Sequence, residues 1–395
     1  MNVVADKLIS SEAKLLEKGV SRAGNNEHRL SNLDGIRGIA IALVLICHSA
    51  DLRWSNGLTQ TFFFKAYWHI AQSLWVGVDV FFVLSGFLIT SILIRTRAAK
   101  NYYTGFYGRR VIRIMPMFVI VLSLVGFFLF WNGQCKVWQF LILLFSLGNW
   151  LTIYEWEISP LVHFWTLAVE EQFYLVWPVV AKTFTQAKLV RLCIGLFISA
   201  TLLRIVLALS GTNIWIIYKI TPARWDGLAL GAYLACLPAC PHMERWFLKN
   251  IRKIITVSAI CLALVIIYNG FGLFLFSKMS LALGLPFVDL LALGLVFTAL
   301  QVKGGLFFSI LNSYPLQWLG RYSYSIYLIH YPFYLIANWL IGDGKMIFMN
   351  LFISVGVYVV TPLLLARLAW ILVEQPFMNF RYKFKPLYDN DSISN

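Results

Sequence analysis

Charge is what this sequence has least of. Only 13% of its 395 residues are Asp, Glu, Lys or Arg, against 59% that are apolar. A soluble domain carries about twice that share of charge, so a soluble globular enzyme and a disordered chain are both excluded. Cysteine pairs are missing too. The six cysteines (47, 135, 193, 236, 240 and 261) form no CxxC, and five lie in or beside apolar runs. They read as small buried hydrophobes, with no structural disulfide expected. Cys240 and His242 share one loop, but two ligands at that spacing make a poor zinc site, so no metal is expected. Residues 1–34 lack the apolar core of a cleavable signal. No internal repeat is found, which speaks against transporter folds built from duplicated halves.

What is present is a series of apolar runs. A membrane-spanning helix needs about 20 mostly apolar residues. Spans are predicted at 35–51, 72–95, 114–131, 163–183, 189–209, 222–238, 251–270, 281–300, 321–341 and 347–373. The fold class is therefore all-α, a polytopic membrane helix bundle. Residues 1–34 form an N-terminal segment whose Leu8, Leu15 and Leu16 make a weak helical stripe, 35–376 the transmembrane domain and 377–395 a tail.

The 33 Lys+Arg against 18 Asp+Glu give a formal +15. The bases fall in alternate loops, which orients the chain by the positive-inside rule. Arg95, Arg97, Lys100, Arg109, Arg110 and Arg113 mark one cytoplasmic loop. Lys182, Lys188 and Arg191 mark a second, and Arg245, Lys249, Arg252 and Lys253 a third. The alternation holds only if 114–162 crosses once, so the short apolar run 138–152 is predicted to be non-spanning. Ten spans with both termini cytoplasmic follow, in what is read as a bacterial inner (cytoplasmic) membrane. The positive charge then faces inward, and no nucleic-acid partner is expected.

Each ionisable group within a span costs about 2.5–3.5 kcal/mol on insertion scales and is a functional candidate by default. Arg37 and His48 stand eleven residues apart on the first span, about 16 Å along one helix. A long ligand running down that helix would meet both; a snorkelling Arg and an interfacial His would give the same pattern. Within 163–174, Glu170 and Glu171 are adjacent carboxylates in an apolar helix, and Thr166, Glu170, Phe173 and Tyr174 share one stripe. Glu170 is placed about 10 Å inward of residue 163, at a depth comparable to His48. A His48–Glu170 pair would make a general base with an orienting carboxylate; a structural pair is the alternative.

Arg110 and Arg113, three apart before Pro116, present two forks from one helix face, suited to phosphate, although positive-inside anchoring would also place them there. Asp34, Asp79, Arg224, Asp226, Ser323 and His330 complete the polar candidates. Arg224 and Asp226 would pair with each other or touch a polar substrate. Glu374 would meet a neighbouring cation.

Seven motifs in order carry a family resemblance. They are Leu33-Asp34…Arg37-Gly38…His48, Gly77-Val78-Asp79-Val80-Phe81-Phe82 with Ser85-Gly86, and Arg110-x-x-Arg113-x-x-Pro116. Next come Trp165-x-Leu167-x-x-Glu170-x-x-Phe173-Tyr174 and Arg224-x-Asp226-x-Leu228 with Gly231. Ser323-Tyr324-x-x-Tyr327-Leu328-x-His330 and Glu374-x-Pro376 end the series. Over roughly 31–380 the chain resembles the acyltransferase-3 family of integral-membrane O-acyltransferases. Ile36 and Thr166 are mild departures, standing where Leu and Ser are common.

The resemblance implies an acyl-CoA co-substrate, with acetyl-CoA the first choice, drawn from the cytoplasm, and no bound cofactor. It implies transfer to a hydroxyl of a surface or periplasmic glycan or lipid-linked sugar, with lipopolysaccharide among the candidates and membrane lipid as surroundings. It also implies essential roles for Arg37, His48, Arg110 and Arg113. A chain of this length is expected to be the stand-alone form, without a fused SGNH-hydrolase-like domain. In the expected reaction Arg110 and Arg113 take the CoA phosphates and Arg37 guides the pantetheine arm. His48, balanced by Glu170, deprotonates the acceptor hydroxyl. Direct transfer and a transient acyl-His48 both remain open. A secondary transporter or glycan exporter is the competing function.

Overall fold

In the computed structural model, residues 23–52, 61–341 and 352–388 are described. The described secondary structure is entirely helical, as the apolar runs require, because a chain in lipid must satisfy its backbone internally. The main helices are α1 (Ala23–Ser49), α2 (Gly77–Arg95), α3 (Tyr102–Trp131), α4 (Trp165–Thr183), α5 (Gln186–Leu209), α6 (Trp225–Cys236), α7 (Pro241–Tyr268), α8 (Leu285–Gln301) and α9 (Tyr314–Ile341), followed by a helical run from Ser354 to Phe384. The described part of the N-terminal segment, residues 23–34, is helical and continuous with the first span. The leucine stripe at 8–16, the first residues of 347–373 and the end of the tail lie outside the described residues.

Among the described residues, seven helices are long and apolar enough to cross a membrane. At the other three of the ten predicted positions stand α4, α6 and α9. These carry many of the polar groups, and α6 has only 12 residues, about 18 Å, too short to cross alone. Its side chains are nearly all buried, Asp226 included. The segment after α3 likewise does not span. Val137–Leu144 has eight residues, about 12 Å long, and a 3-10 turn, Gly148–Tyr154, follows it. Gln172 of α4 holds that turn, donating to Ser146 O (2.9 Å) and Asn149 Oδ1 (3.0 Å).

Burial sorts the helices into a centre and a lipid-facing rim. The α2 region is 67% buried and the α8 region 61%, whereas α5 and α7 are 17% buried. α1 packs along α9 and α2 along α6. Both contacts are backbone-close, and glycine makes them so. A β-carbon on Gly86 would overlap the Leu228 carbonyl, one on Gly231 the Val83 carbonyl, and one on Gly320 the Asp34 carbonyl.

Three π-helical turns, Ser280–Gly284, Ser354–Val360 and Trp370–Glu374, share one cause. Each ends two residues before a proline (Pro286, Pro362, Pro376). Proline has no N–H to donate and crowds the preceding turn, so the helix widens there.

Candidate active site

A cavity of about 530 Å³ opens among α1, α2, α3, α4 and α9, within the range of about 300–1,000 Å³ typical of ligand sites. Val78, Phe82, Ser85, Leu88, Ile92 and Arg95 of α2 line it at helical spacing. That stripe makes the cavity about 25 Å long by helical rise. Asp34 and Arg37 face it from α1, Arg110 and Arg113 from α3, and Thr166, Glu170 and Tyr174 from α4. Ser323, Tyr324 and Tyr327 of α9 and Arg381 complete the wall.

The structure thus brings together Arg37, Arg110, Arg113, Glu170, Asp34, Tyr174 and Ser323. Asp34 and Arg37 form an ion pair one helical turn apart. The Arg110 guanidinium lies over the Tyr174 ring at 4.6 Å. Glu170 accepts from Ser85 Oγ (2.8 Å) and Tyr174 OH (3.1 Å). Five arginines and two carboxylates line the cavity, and both carboxylates are already engaged. The surplus of guanidinium suits a polyanion. Glu374 accepts from Ser325 Oγ, with Arg113 the cation in its field.

His48 sits elsewhere. Its ring packs against His330 (5.4 Å between centroids), Tyr331 (5.1 Å) and Tyr334 (6.0 Å). His330 in turn packs against His163 at 5.2 Å. No hydrogen bond or ion pair joins His48 to Glu170. The comparable depth expected for them does not bring them together: His48 meets His330, and His330 meets His163, seven residues before Glu170.

His163 and His330 are buried (4% and 0% exposed). Nε2 of His163 donates to Leu328 O (3.2 Å), and Nδ1 of His330 donates to Tyr327 O (2.7 Å). A carbonyl only accepts, so each ring is held in one tautomer with its other nitrogen a lone pair. Those two nitrogens, His163 Nδ1 and His330 Nε2, have no hydrogen-bond partner among the described residues. Between histidines and cavity lie Thr166 and Tyr327, whose hydroxyls share a hydrogen bond of 2.7 Å; both oxygens lie within reach of His163 O (3.3 and 2.9 Å), which accepts the proton not used between them.

Arg224, Asp226 and Asp79 belong to a different cluster, and the expected Arg224–Asp226 pair is exchanged. Arg224 Nη2 binds Asp79 Oδ1 at 2.5 Å, and Asp226 binds Arg204 at 2.5 Å, all four groups at most 1% exposed. Neighbours two apart on one helix end point away from each other, so each finds a partner on another helix. Phe82, Trp165 and Tyr218 surround the Arg224 guanidinium at 5.0–5.5 Å. Asp289, 0% exposed, lies against Gly227 beside them.

Arg95, Arg204, Asp289 and Arg381 were not singled out by sequence reasoning. Arg204 and Asp289 fall inside predicted spans, so the rule that flagged Glu170 applies to them equally. Arg95 belongs to a basic loop in the sequence and Arg381 to the 377–395 tail, and only the packing brings them to the cavity.

The family model described as "Acyltransferase domain" (Acyl_transf_3) matches residues 30–370. Peptidoglycan O-acetyltransferase OatA of Listeria monocytogenes is 29% identical over 76% of this chain and 49% of its own length. Putative peptidoglycan O-acetyltransferase YrhL of Bacillus subtilis is 27% identical over 88% of this chain and 55% of its own. O-acetyltransferase OatA of Staphylococcus aureus is 28% identical over 90% and 58%. The chain spans about half the length of these curated relatives. No solved structure matches. With a family model covering residues 30–370, most of its length, the chain belongs to the acyltransferase-3 family.

Proposed function

We propose that this chain is a membrane O-acetyltransferase that takes its acyl group from acetyl-CoA on the cytoplasmic side and passes it to a hydroxyl of a cell-envelope glycan. The observation that carries this reading is the position of α1. One end of that helix places Arg37 in the arginine-lined cavity, and the other places His48 among the histidines. The relatives' names, which specify peptidoglycan, support an envelope glycan as acceptor.

Arg110 and Arg113 hold donor phosphates, and Arg37, neutralised in part by Asp34, steers the neutral pantetheine arm inward. Glu170 keeps Tyr174 beneath Arg110 and so fixes that guanidinium. The thioester reaches the Thr166–Tyr327 pair at the deep end, and these two hydroxyls part to admit it. The acceptor hydroxyl attacks the thioester carbonyl and gives its proton to His48. The carbon–sulfur bond breaks, and the CoA thiolate leaves and takes up a proton. In this reading Glu170 acts through Tyr174 and Arg110, not through His48.

The test is His48→Ala in purified protein. Acetyl-CoA binding is retained and acetyl transfer is lost. Transfer at the wild-type rate removes His48 from the chemistry. Acetyl-CoA turnover in detergent, where no ion gradient exists, separates transferase from exporter.

A further inference from the structure

Residues 379–388, the last that are described, pack against the bundle beside the cavity. Asn101, at the start of α3, donates to Lys385 O (2.8 Å) and accepts from Leu387 N (2.9 Å), and Lys100 N donates to Leu387 O (2.9 Å). Arg109 donates to Phe384 O, and the Phe384 ring lies where a β-carbon of Gly108 would be. Tyr388 OH reaches Arg95 O at 3.5 Å. This docking delivers the Arg381 side chain to the cavity wall.

The cavity has a direction. Ser85, which binds Glu170, and Arg95, which ends α2, are ten residues apart, about 15 Å by helical rise. Arg95 and Arg381 are both exposed and mark the mouth. Arg381 shares the field of Arg110 and Arg113, which Glu374 offsets only at Arg113; guanidinium groups repel one another there, and no carboxylate lines the cavity at that end. A bound dianion would relieve that repulsion.

This inference rests on the reading of the donor as a coenzyme A thioester. Such a donor carries its charges in a fixed order from the thioester outward: a neutral pantetheine arm, then a diphosphate, then a phosphomonoester on the ribose 3′ position. With the acyl end deep, the diphosphate falls to Arg110 and Arg113, and the phosphomonoester falls at the mouth. We propose that Arg381, presented by the docked C-terminal segment, together with Arg95 binds the donor's 3′-phosphate and selects coenzyme A thioesters over their dephospho forms.

The test measures binding of acetyl-CoA and of acetyl-dephospho-CoA to the purified full-length protein by calorimetry. Wild type is expected to bind the dephospho donor roughly tenfold more weakly, the scale of a lost charge-assisted contact. Arg381→Ala should weaken acetyl-CoA by a similar factor and leave the dephospho donor unchanged. Arg381→Lys should recover part of the loss. Equal weakening of both donors by Arg381→Ala would assign the residue a merely structural role and overturn the proposal. Equal wild-type affinity for the two donors would overturn it as well, with the CoA reading intact. Binding of neither donor would remove the CoA reading itself, and the proposal with it.

Discussion

Tyr174 is held from two sides: Arg110 stacks on its ring at 4.6 Å, and its hydroxyl donates to Glu170 at 3.1 Å. The carboxylate, the ring and the guanidinium form one column along the cavity wall. Tyr174→Phe keeps the stacking and drops the hydrogen bond, so donor affinity should fall only about 2–5-fold. Tyr174→Ala frees Arg110 and should cost up to about 30-fold, the upper range of a desolvated cation–π contact. Calorimetric titration with acetyl-CoA separates the two.

His330 presents an unpartnered ring nitrogen in the cluster that contains His48. His330→Ala removes a ring against which the base His48 packs and should reduce transfer by up to about 10²-fold, the lower end of a general-base contribution, without changing donor affinity. Steady-state transfer set beside equilibrium binding checks this. A parallel loss of binding would mean that the bundle itself had been disturbed.

Asp79→Ala leaves the Arg224 guanidinium charged and 0% exposed. Breaking a buried pair from one side costs about 3–5 kcal/mol, so the detergent-solubilised protein should unfold at markedly lower temperature. The double variant Asp79→Ala, Arg224→Met should recover much of that loss. A single variant as stable as wild type would show that the pair is not formed.

Gly320→Ala places a methyl group against the Asp34 carbonyl. Overpacking of this kind costs about 1–3 kcal/mol. Here it also shifts the helix that carries Asp34 and Arg37, so stability and donor affinity should drop together. A variant that lost neither would contradict the backbone contact between α1 and α9.

Topology is checked by cysteine labelling. Glu155→Cys and Gln186→Cys flank α4 and should react from opposite sides of the membrane, the first from outside. Labelling of both from one side would show that α4 does not cross.

The sequence reveals individual polar residues better than it reveals their partners. Arg37 and Glu170 stand out because an ionisable group in an apolar run is costly, Arg110 and Arg113 by their spacing at a helix start, and the structure gathers all four at one cavity. Their neighbours depend on helix packing, which periodicity does not encode. Arg224 finds Asp79, 145 residues away, although Asp226 is nearer in sequence. His48 meets His330 for the same reason, because α1 lies along α9. Seven of the ten span positions were legible from apolar length. The shortness of α6 was not, because polar and proline-bearing residues before it (Thr221, Pro222, Arg224) read equally well as part of a run.

The glycine contacts have a mechanical consequence. α1 and α9 touch backbone to backbone, and so do α2 and α6, which leaves no side-chain layer within either couple to slide or hinge. Each couple therefore behaves as a stiff plank. The cavity has α1 and α9 on one bank and α2 on the other. Gly77 brings the start of α2 against the Ala40 carbonyl of α1, so the two planks are joined at that end, and a widening that admits a donor or frees a product is a swing about this contact.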